Sequence, residues 1–556
     1  MVTSVATHAH GEAHGSGHGP LHGHGKGPWQ RLVELLRLEW GDVFTLLAFA
    51  LGVGLLSLVA PAAIEALVNT VAFGILLWPV VVLAIVMLTL LVVSAVLRAM
   101  QTYVAECLQR RLFVRTALGF ADRLARTDLS SFDGENRADI VNRFFEVSSG
   151  QKSIATLLVE GVGIIMMTAV GLIVLAFYHP YLLTFALVLA GLVVFMLLGL
   201  GIGGVRSSIA ESYAKFDVAA WLEEVARCPH AFRSGDGAFL ALDRADQLAD
   251  RYITARKRHF SIIWRQTLFA LTLEAVGSTV LLGLGGWLVI NRQLTLGQLV
   301  ASELIVTLVL VALSKIGKYV EIFYDLQATL DKLGILDRLP PESTEGELLE
   351  TETGPLAVTA ELPAGHGGEW RLDIRPGERV AVVGPRGKTP LLETLALLRM
   401  PPGGLLELDG IDARSLARPT TRQCIAFLGR PEIFAGTLAE NVRLGRAGLT
   451  AADVRRALDT VGLADRVARL TDGMQTELAP DGQPLSNNEI VRLSIARAIA
   501  GRPRLLLLDG TLDALDVAAC PDLLDALFDP AAPWTLVVVT ARDDIRSRCG
   551  RVVELE

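Results

Sequence analysis

A chain of 556 residues is too long for one ordinary domain, and 51% hydrophobic content with a mean hydropathy of +0.45 is too apolar for a soluble protein of that size. A net charge of -8, with no basic stripe interleaved with aromatics, excludes nucleic acid as the main partner. A membrane portion is therefore expected.

The first 28 residues are rich in Gly and His and lack the apolar stretch of a signal peptide, so insertion is expected to rely on the first membrane helix. Within this 1–28 tail, His8, His10, His14, His18, His22 and His24 stand among glycines, a composition that cannot bury a core and is expected to stay disordered. Neutral imidazoles on a glycine-rich chain can gather a transition metal such as zinc, nickel or copper. A solvated tail with adventitious metal affinity is the other reading, because the irregular spacing fixes no coordination geometry.

Residues 29–338 read as an all-α membrane domain. A bilayer crossing needs about 20 apolar residues in a helix, and six segments qualify: 43–68, 75–104, 154–177, 181–204, 267–290 and 296–320. Loop charge sets the orientation. The stretch 105–153 carries Arg110, Arg111, Arg115, Arg123 and further arginines, and 205–266 carries Arg206, Lys215, Arg227, Arg256, Lys257 and Arg258 among others. Both stretches, and both chain ends, are therefore expected on the cytosolic side. Ionisable residues within the spans are costly unless they face a cavity or partner, which singles out Glu65, Glu274, Glu303, Lys315 and Lys318. Five widely spaced cysteines (Cys107, Cys228, Cys424, Cys520, Cys549) without CxxC spacing suggest neither a disulfide framework nor a zinc ribbon.

A breaker-rich linker, 339–354, contains Pro340 and Pro341 and leads into a mixed α/β domain, 355–556. There a buried strand, Val380-Ala381-Val382-Val383, runs into Gly384-Pro385-Arg386-Gly387-Lys388-Thr389 and then a helical stretch, the context of a P-loop. The spacing departs from GxxxxGK[ST]: the loop is two residues short. A shorter loop presents fewer N–H donors to a phosphate. Lys388 and Thr389 are the residues left to touch ATP, and a phosphate-free strand-to-helix turn is the equal alternative.

Further on, Leu485-Ser486-Asn487-Asn488-Glu489 opens a helix through Ala500. It is followed by Leu505-Leu506-Leu507-Leu508-Asp509 and by Ala514-Leu515-Asp516. In order and spacing these resemble the signature helix, Walker B strand and D-loop of ATP-binding cassette (ABC) transporters, and the resemblance extends over essentially the whole chain after the tail. It implies a multidomain membrane protein: a six-helix exporter-type (type I exporter, type IV ABC) transmembrane domain fused to an α/β P-loop NTPase-like domain. It also implies two intracellular extensions ending in coupling helices, near 131–142 and 218–227.

The departures from the family pattern gather where its chemistry happens. Asn487 and Asn488 replace the signature glycines, and Glu489 puts a carboxylate where a triphosphate would be repelled. Asp509 is retained and suits magnesium, but Gly510 replaces the acid that polarises water, and Ala541 replaces the switch histidine. Arg430 stands at the Q-loop position. No aromatic occupies the place expected to stack on adenine, for which His366 or Trp370 are substitutes, Trp370 reading more readily as core. The weak nucleotide set is thus Gly384, Arg386, Gly387, Lys388, Thr389, Arg430 and Asp509, with ATP and Mg2+ as cofactors and no intact catalytic residue. These features imply an integral, multi-pass protein of a bacterial inner membrane. It would work with a second half-transporter, identical or different: a different, intact one would supply hydrolysis, whereas pairing with itself would leave hydrolysis negligible. The alternative is a pseudo-transporter acting as receptor, scaffold or metal-responsive regulator without ATP-driven cycling.

Overall fold

The computed structural model describes residues 27–555 apart from 73–76, 134–136, 335–338, 340, 350–353, 364–368, 401–402 and 517–520. The six tail histidines and His366 lie outside the described residues. The chain divides into two compact units, one of residues 1–125 with 135–339 and one of 126–134 with 340–556.

The described residues of the first unit form helices joined by short turns. An amphipathic helix, α1 (Pro28–Leu38), buries Leu32 and leaves Trp29, Val33 and Leu38 exposed. There follow α2 (Trp40–Leu56), α3 (Val59–Ala72), α4 (Leu77–Arg126), α5 (Arg137–Thr156), α6 (Val162–Tyr178), α7 (Pro180–Val194), α8 (Gly204–Arg227), α9 (Pro229–Phe232), α10 (Gly237–Ile290), α11 (Leu296–Ser314) and α12 (Ile316–Leu333). Among the described residues, six stretches are long and apolar enough to cross a membrane: Trp40–Thr70, Trp78–Arg126, Ile140–Tyr178, Pro180–Arg227, Gly237–Ile290 and Leu296–Leu333. The protein is a multi-pass integral membrane protein. At about 1.5 Å per residue the 54 residues of α10 extend some 80 Å, far beyond a hydrocarbon core of about 30 Å. The spans therefore continue into water, as the helical periodicity of the basic stretches predicts.

Interruptions have local causes. The break between α2 and α3 falls where Pro61 has no N–H to return to the Ser57 carbonyl. Two π-turns, Leu157–Gly161 and Phe195–Gly199, leave carbonyl groups without their regular helical partners. Polar side chains capture carbonyls there: Gln101 donates to Val159 at 3.4 Å, and Gln266 donates to Met196 at 3.3 Å. Of the charged span residues, Glu65 accepts a hydrogen bond from Tyr178 at 2.6 Å, while Oε2 of Glu303 is buried without a hydrogen-bond partner among the described residues.

Both coupling segments differ from expectation. Residues 218–227 are the last turns of α8, because their helical pattern runs unbroken to Arg227; the tip beyond them is the single turn α9. In the first extension the turn is a 3-10 element, Leu129–Phe132, and α5 has already begun by Arg137.

The second unit holds an antiparallel sheet in the order β2 (Glu369–Ile374), β1 (Val358–Pro363), β4 (Leu405–Leu408), β5 (Ile411–Asp412). It also holds a parallel sheet, β11 (Arg551–Glu554), β3 (Arg379–Val383), β10 (Thr535–Val539), β9 (Leu505–Asp509), β6 (Ile425–Leu428). A short pair, β7 (Gly436–Thr437) and β8 (Glu477–Leu478), completes it. β9 and β10 are continuous apolar runs because a parallel sheet is covered on both faces. Leu506, Leu508, Leu536 and Val538 enter one core, and Leu505, Leu507, Val537 and Val539 the other, following the two-residue period of a strand. Parallel strands bring the ends of β3, β9 and β10 to one edge, the usual position of a ligand site in such sheets.

Candidate nucleotide site and coupling turn

At that edge β3 passes into a four-residue turn and then the helix Lys388–Leu395. Gly384 and Gly387 have left-handed φ values of 145° and 80°. A Cβ on Gly384 would lie 2.6 Å from the Leu555 carbonyl oxygen, and one on Gly387 would collide with the Trp370 ring. Trp370 is thus half-buried core, packed over the turn, as the sequence suggested. Lys388 Nζ donates to the Gly384 carbonyl at 2.7 Å, so the ammonium closes the turn on itself. Thr389 Oγ1 donates to Asp509 Oδ2 at 2.5 Å across 120 residues of sequence. Arg386 and Arg430 are exposed, and neither is brought against these groups.

Beside Asp509, Gly510 takes φ 66° and donates its N–H to Val539 at 2.9 Å. Nothing lies within 4 Å of where its Cβ would be. Ala541 sits opposite, and its N–H donates to Asp513 Oδ2 at 3.0 Å. Thr540 hydroxyl donates to the other Asp513 oxygen. Asp513 therefore ties the segment after β9 to the segment after β10, reinforced by Arg542, which donates to the Leu515 carbonyl at 3.0 Å. Sequence reasoning missed Asp513; the only available signal was an extra carboxylate four residues past Asp509. Thr511 Oγ1 donates to Leu428 at 2.8 Å and so fixes the end of β6 to the same edge.

The helix Asn487–Ala500 opens with a capping box: Ser486 N and Oγ both donate to Glu489 Oε2, at 2.8 Å and 3.0 Å. Arg466 Nε donates to Glu489 Oε1 at 3.0 Å. Burial alone would raise the Glu489 carboxyl, but the Ser486 donors and Arg466 outweigh it and hold the group below its ordinary range. Asn488 Oδ1 is buried without a hydrogen-bond partner among the described residues. Further along, Arg497 donates to the Asn441 and Glu432 carbonyls and carries the segment 432–441 against this helix.

The donor set fits one half of magnesium-ATP. A hydroxyl and a carboxylate in contact, Thr389 and Asp509, suit a hard cation that takes oxygen ligands. The phosphate cradle does not fit. It is two residues short, and its ammonium is engaged by the Gly384 carbonyl.

A family model for the ABC transporter matches residues 368–512, which contain the turn, Asp509 and the capped helix. Residues 368–512 of this chain are an ABC transporter domain, here fused to membrane spans. The match implies a domain for ATP, usually with magnesium. Among similar proteins, a mycobactin import ATP-binding/permease protein, IrtB, of Mycolicibacterium thermoresistibile is 29% identical over 64% of this chain and 61% of its own. A beta-(1→2)glucan export ATP-binding/permease protein, NdvA, of Brucella melitensis is 29% identical over 47% of this chain and 46% of its own. The chain thus matches less than two thirds of either relative. In fold it is similar to a bacterial Atm1-family ABC exporter solved with ATP bound, with TM-score 0.77 and 19% identity, covering 94% of both chains.

The turn between α4 and α5 belongs to the second unit, which contains the nucleotide-binding domain. Asp128 caps the turn through Ser130 N at 3.0 Å and pairs with Arg418 at 3.1 Å. Burial pushes the Asp128 carboxyl up, but the Ser130 bonds and Arg418 together bring it below the usual carboxylate range. Arg418 and Arg422 share Glu342. At the other end Arg399 grips Asp133 through both carboxylate oxygens and also Glu393, on the helix that follows the P-loop turn. Asp133, with support from Glu393, holds the Arg399 guanidinium well above its ordinary value, against burial.

Proposed function

We propose that this chain is one half of a dimeric ABC exporter of a bacterial inner membrane, with both termini cytosolic. It contributes half of the translocation pathway and a docking face, while a second half-transporter supplies ATP hydrolysis. The observation that carries this reading is the ion-pair route from the coupling turn to the P-loop helix, Asp133 to Arg399 to Glu393, retained beside a site that lacks a water-polarising acid at Gly510 and an imidazole at Ala541. A chain with no part in a transport cycle has no use for a charged connection between a membrane loop and a nucleotide-binding helix. Thr389 and Asp509 supply what remains of a magnesium site, so nucleotide held here is static.

The test is nucleotide binding and turnover by the purified chain in lipid, alone and with a co-expressed half-transporter. The expected result is no turnover alone, and ATP-dependent transport with the partner that is lost on Arg399→Ala. Steady hydrolysis by the chain alone would overturn the proposal.

A further inference from the structure

Between α8 and α10, where the apolar run of α7 ends, lies a cavity of about 300 Å³ lined by Gly203, Arg206, Ser207, Ala210, Ala255 and Arg258. Small-molecule sites typically span roughly 300 to 1,000 Å³, so one compact group fits. The residues lining it include two exposed arginines and no acidic residue, and the wall itself is largely apolar. Among the described residues neither the Arg206 nor the Arg258 guanidinium has a hydrogen-bond or ion-pair partner. The contrast is Arg256, whose guanidinium is held by Glu211 at 3.1 Å and Glu321 at 3.3 Å. Those two carboxylates are therefore already committed. Ser207 is committed too, to the Gly204 carbonyl and to His259 Nδ1, each at 2.9 Å.

Two unneutralised arginines lining one cavity select an anion, and their planar donor forks suit the oxygens of a phosphate. The cavity also has an apolar approach. Phe195, Leu198 and Ile202 lead along the chain toward Gly203 and Arg206, and Leu198 and Ile202 are 72% and 75% exposed. On α10 the exposed, stacked pair Phe260 and Trp264 begins just past Arg258 on the membrane side. Aromatics at the end of a span, next to arginines, mark the level of lipid headgroups.

We infer that this cavity binds the phosphate of an anionic phospholipid, with Arg206 and Arg258 on the headgroup and the acyl chains along Phe195, Leu198 and Ile202. The inference does not depend on nucleotide chemistry or on the proposed partner. A lipid held here would tie the α7 to α8 junction to α10 at the membrane boundary.

The test is native mass spectrometry of the full chain with equal phosphatidylglycerol and phosphatidylcholine. Basic residues near a membrane surface contribute about fivefold each to anionic-lipid binding, so phosphatidylglycerol should be retained at least fivefold over phosphatidylcholine. That preference should fall to parity in Arg206→Gln/Arg258→Gln. Lys257→Gln, an exposed neighbour outside the lining, should keep it, and thermal unfolding should show both variants folded. Equal retention by the double variant and the unaltered chain, or equal loss in Lys257→Gln, would overturn the site. Displacement of the lipid by millimolar inorganic phosphate would overturn the lipid assignment in favour of a soluble phosphate anion.

Discussion

Gly387 is the residue on which the shortened loop depends, because its φ of 80° and the Trp370 ring above it leave no room for a side chain. Gly387→Ala should destabilise the chain by about 2 kcal/mol, combining left-handed strain with the collision. Trp370→Ala should recover part of that loss in a double-mutant cycle read by thermal unfolding; independent, additive effects would show that the ring does not bear on the turn. Gly510 is the opposite case. Open space surrounds it, so Gly510→Glu should cost only the left-handed strain, about 1 kcal/mol, and should confer no ATP turnover, even combined with Ala541→His. A new carboxylate and imidazole act only on a phosphate positioned for attack, and a loop two residues short offers fewer N–H donors to position it. Measured hydrolysis by that double variant would show that the cradle is competent after all.

Among the elements, the coupling turn is fastened at both ends by charge. Asp133 is 61% exposed, so its pair with Arg399 is largely screened, and a double-mutant cycle of Arg399→Ala and Asp133→Ala should give a coupling of about 0.5–1 kcal/mol. Under the proposed function, transport driven by a partner should fall much further than stability does, since the proposal gives the pair a part in transmission. Asp128 adds a pH dependence. Its carboxyl lies below the ordinary aspartate value of about 3.9, so its stabilisation is complete above that value and is lost as pH falls through the lower folded value. Acid denaturation should therefore show a step below about pH 4 that Asp128→Asn removes, with no change between pH 5 and 8. The signature helix follows the same sign, since Glu489 is also depressed and is held by Ser486 and Arg466.

The whole molecule combines an exporter-type membrane half with a nucleotide-binding unit whose family positions have become internal bonds. Lys388 turns to Gly384, Glu489 to Ser486 and Arg466, and Asp513 to Ala541 and Thr540. Lys388 and Glu489 stand at positions that the resemblance assigns to nucleotide, and their internal bonds support the proposal of static nucleotide and a catalytic partner. Lengthening the loop by two residues between Pro385 and Arg386 should raise ATP affinity at least tenfold in equilibrium binding, as more N–H donors face the phosphates. Unchanged affinity would place the defect elsewhere.

The sequence by itself determined what is local or periodic. Long apolar runs specify six spans, continuous Leu and Val runs specify β9 and β10, and motif spacing identifies the P-loop turn, Asp509, the helix that opens at Ser486 and the replacements at Gly510 and Ala541. Only the tertiary structure decided what those groups touch. Thr389 meets Asp509 across 120 residues, Asp133 meets Arg399 across 266, and Arg206 shares a cavity with Arg258 because two helices pack. The same limit explains the misplaced coupling segments. Helical periodicity continues through 218–227 and past Arg137, so composition carries no mark of where each extension turns. Period and composition encode which backbone a segment adopts, whereas partners distant along the chain are chosen by the packing of whole elements.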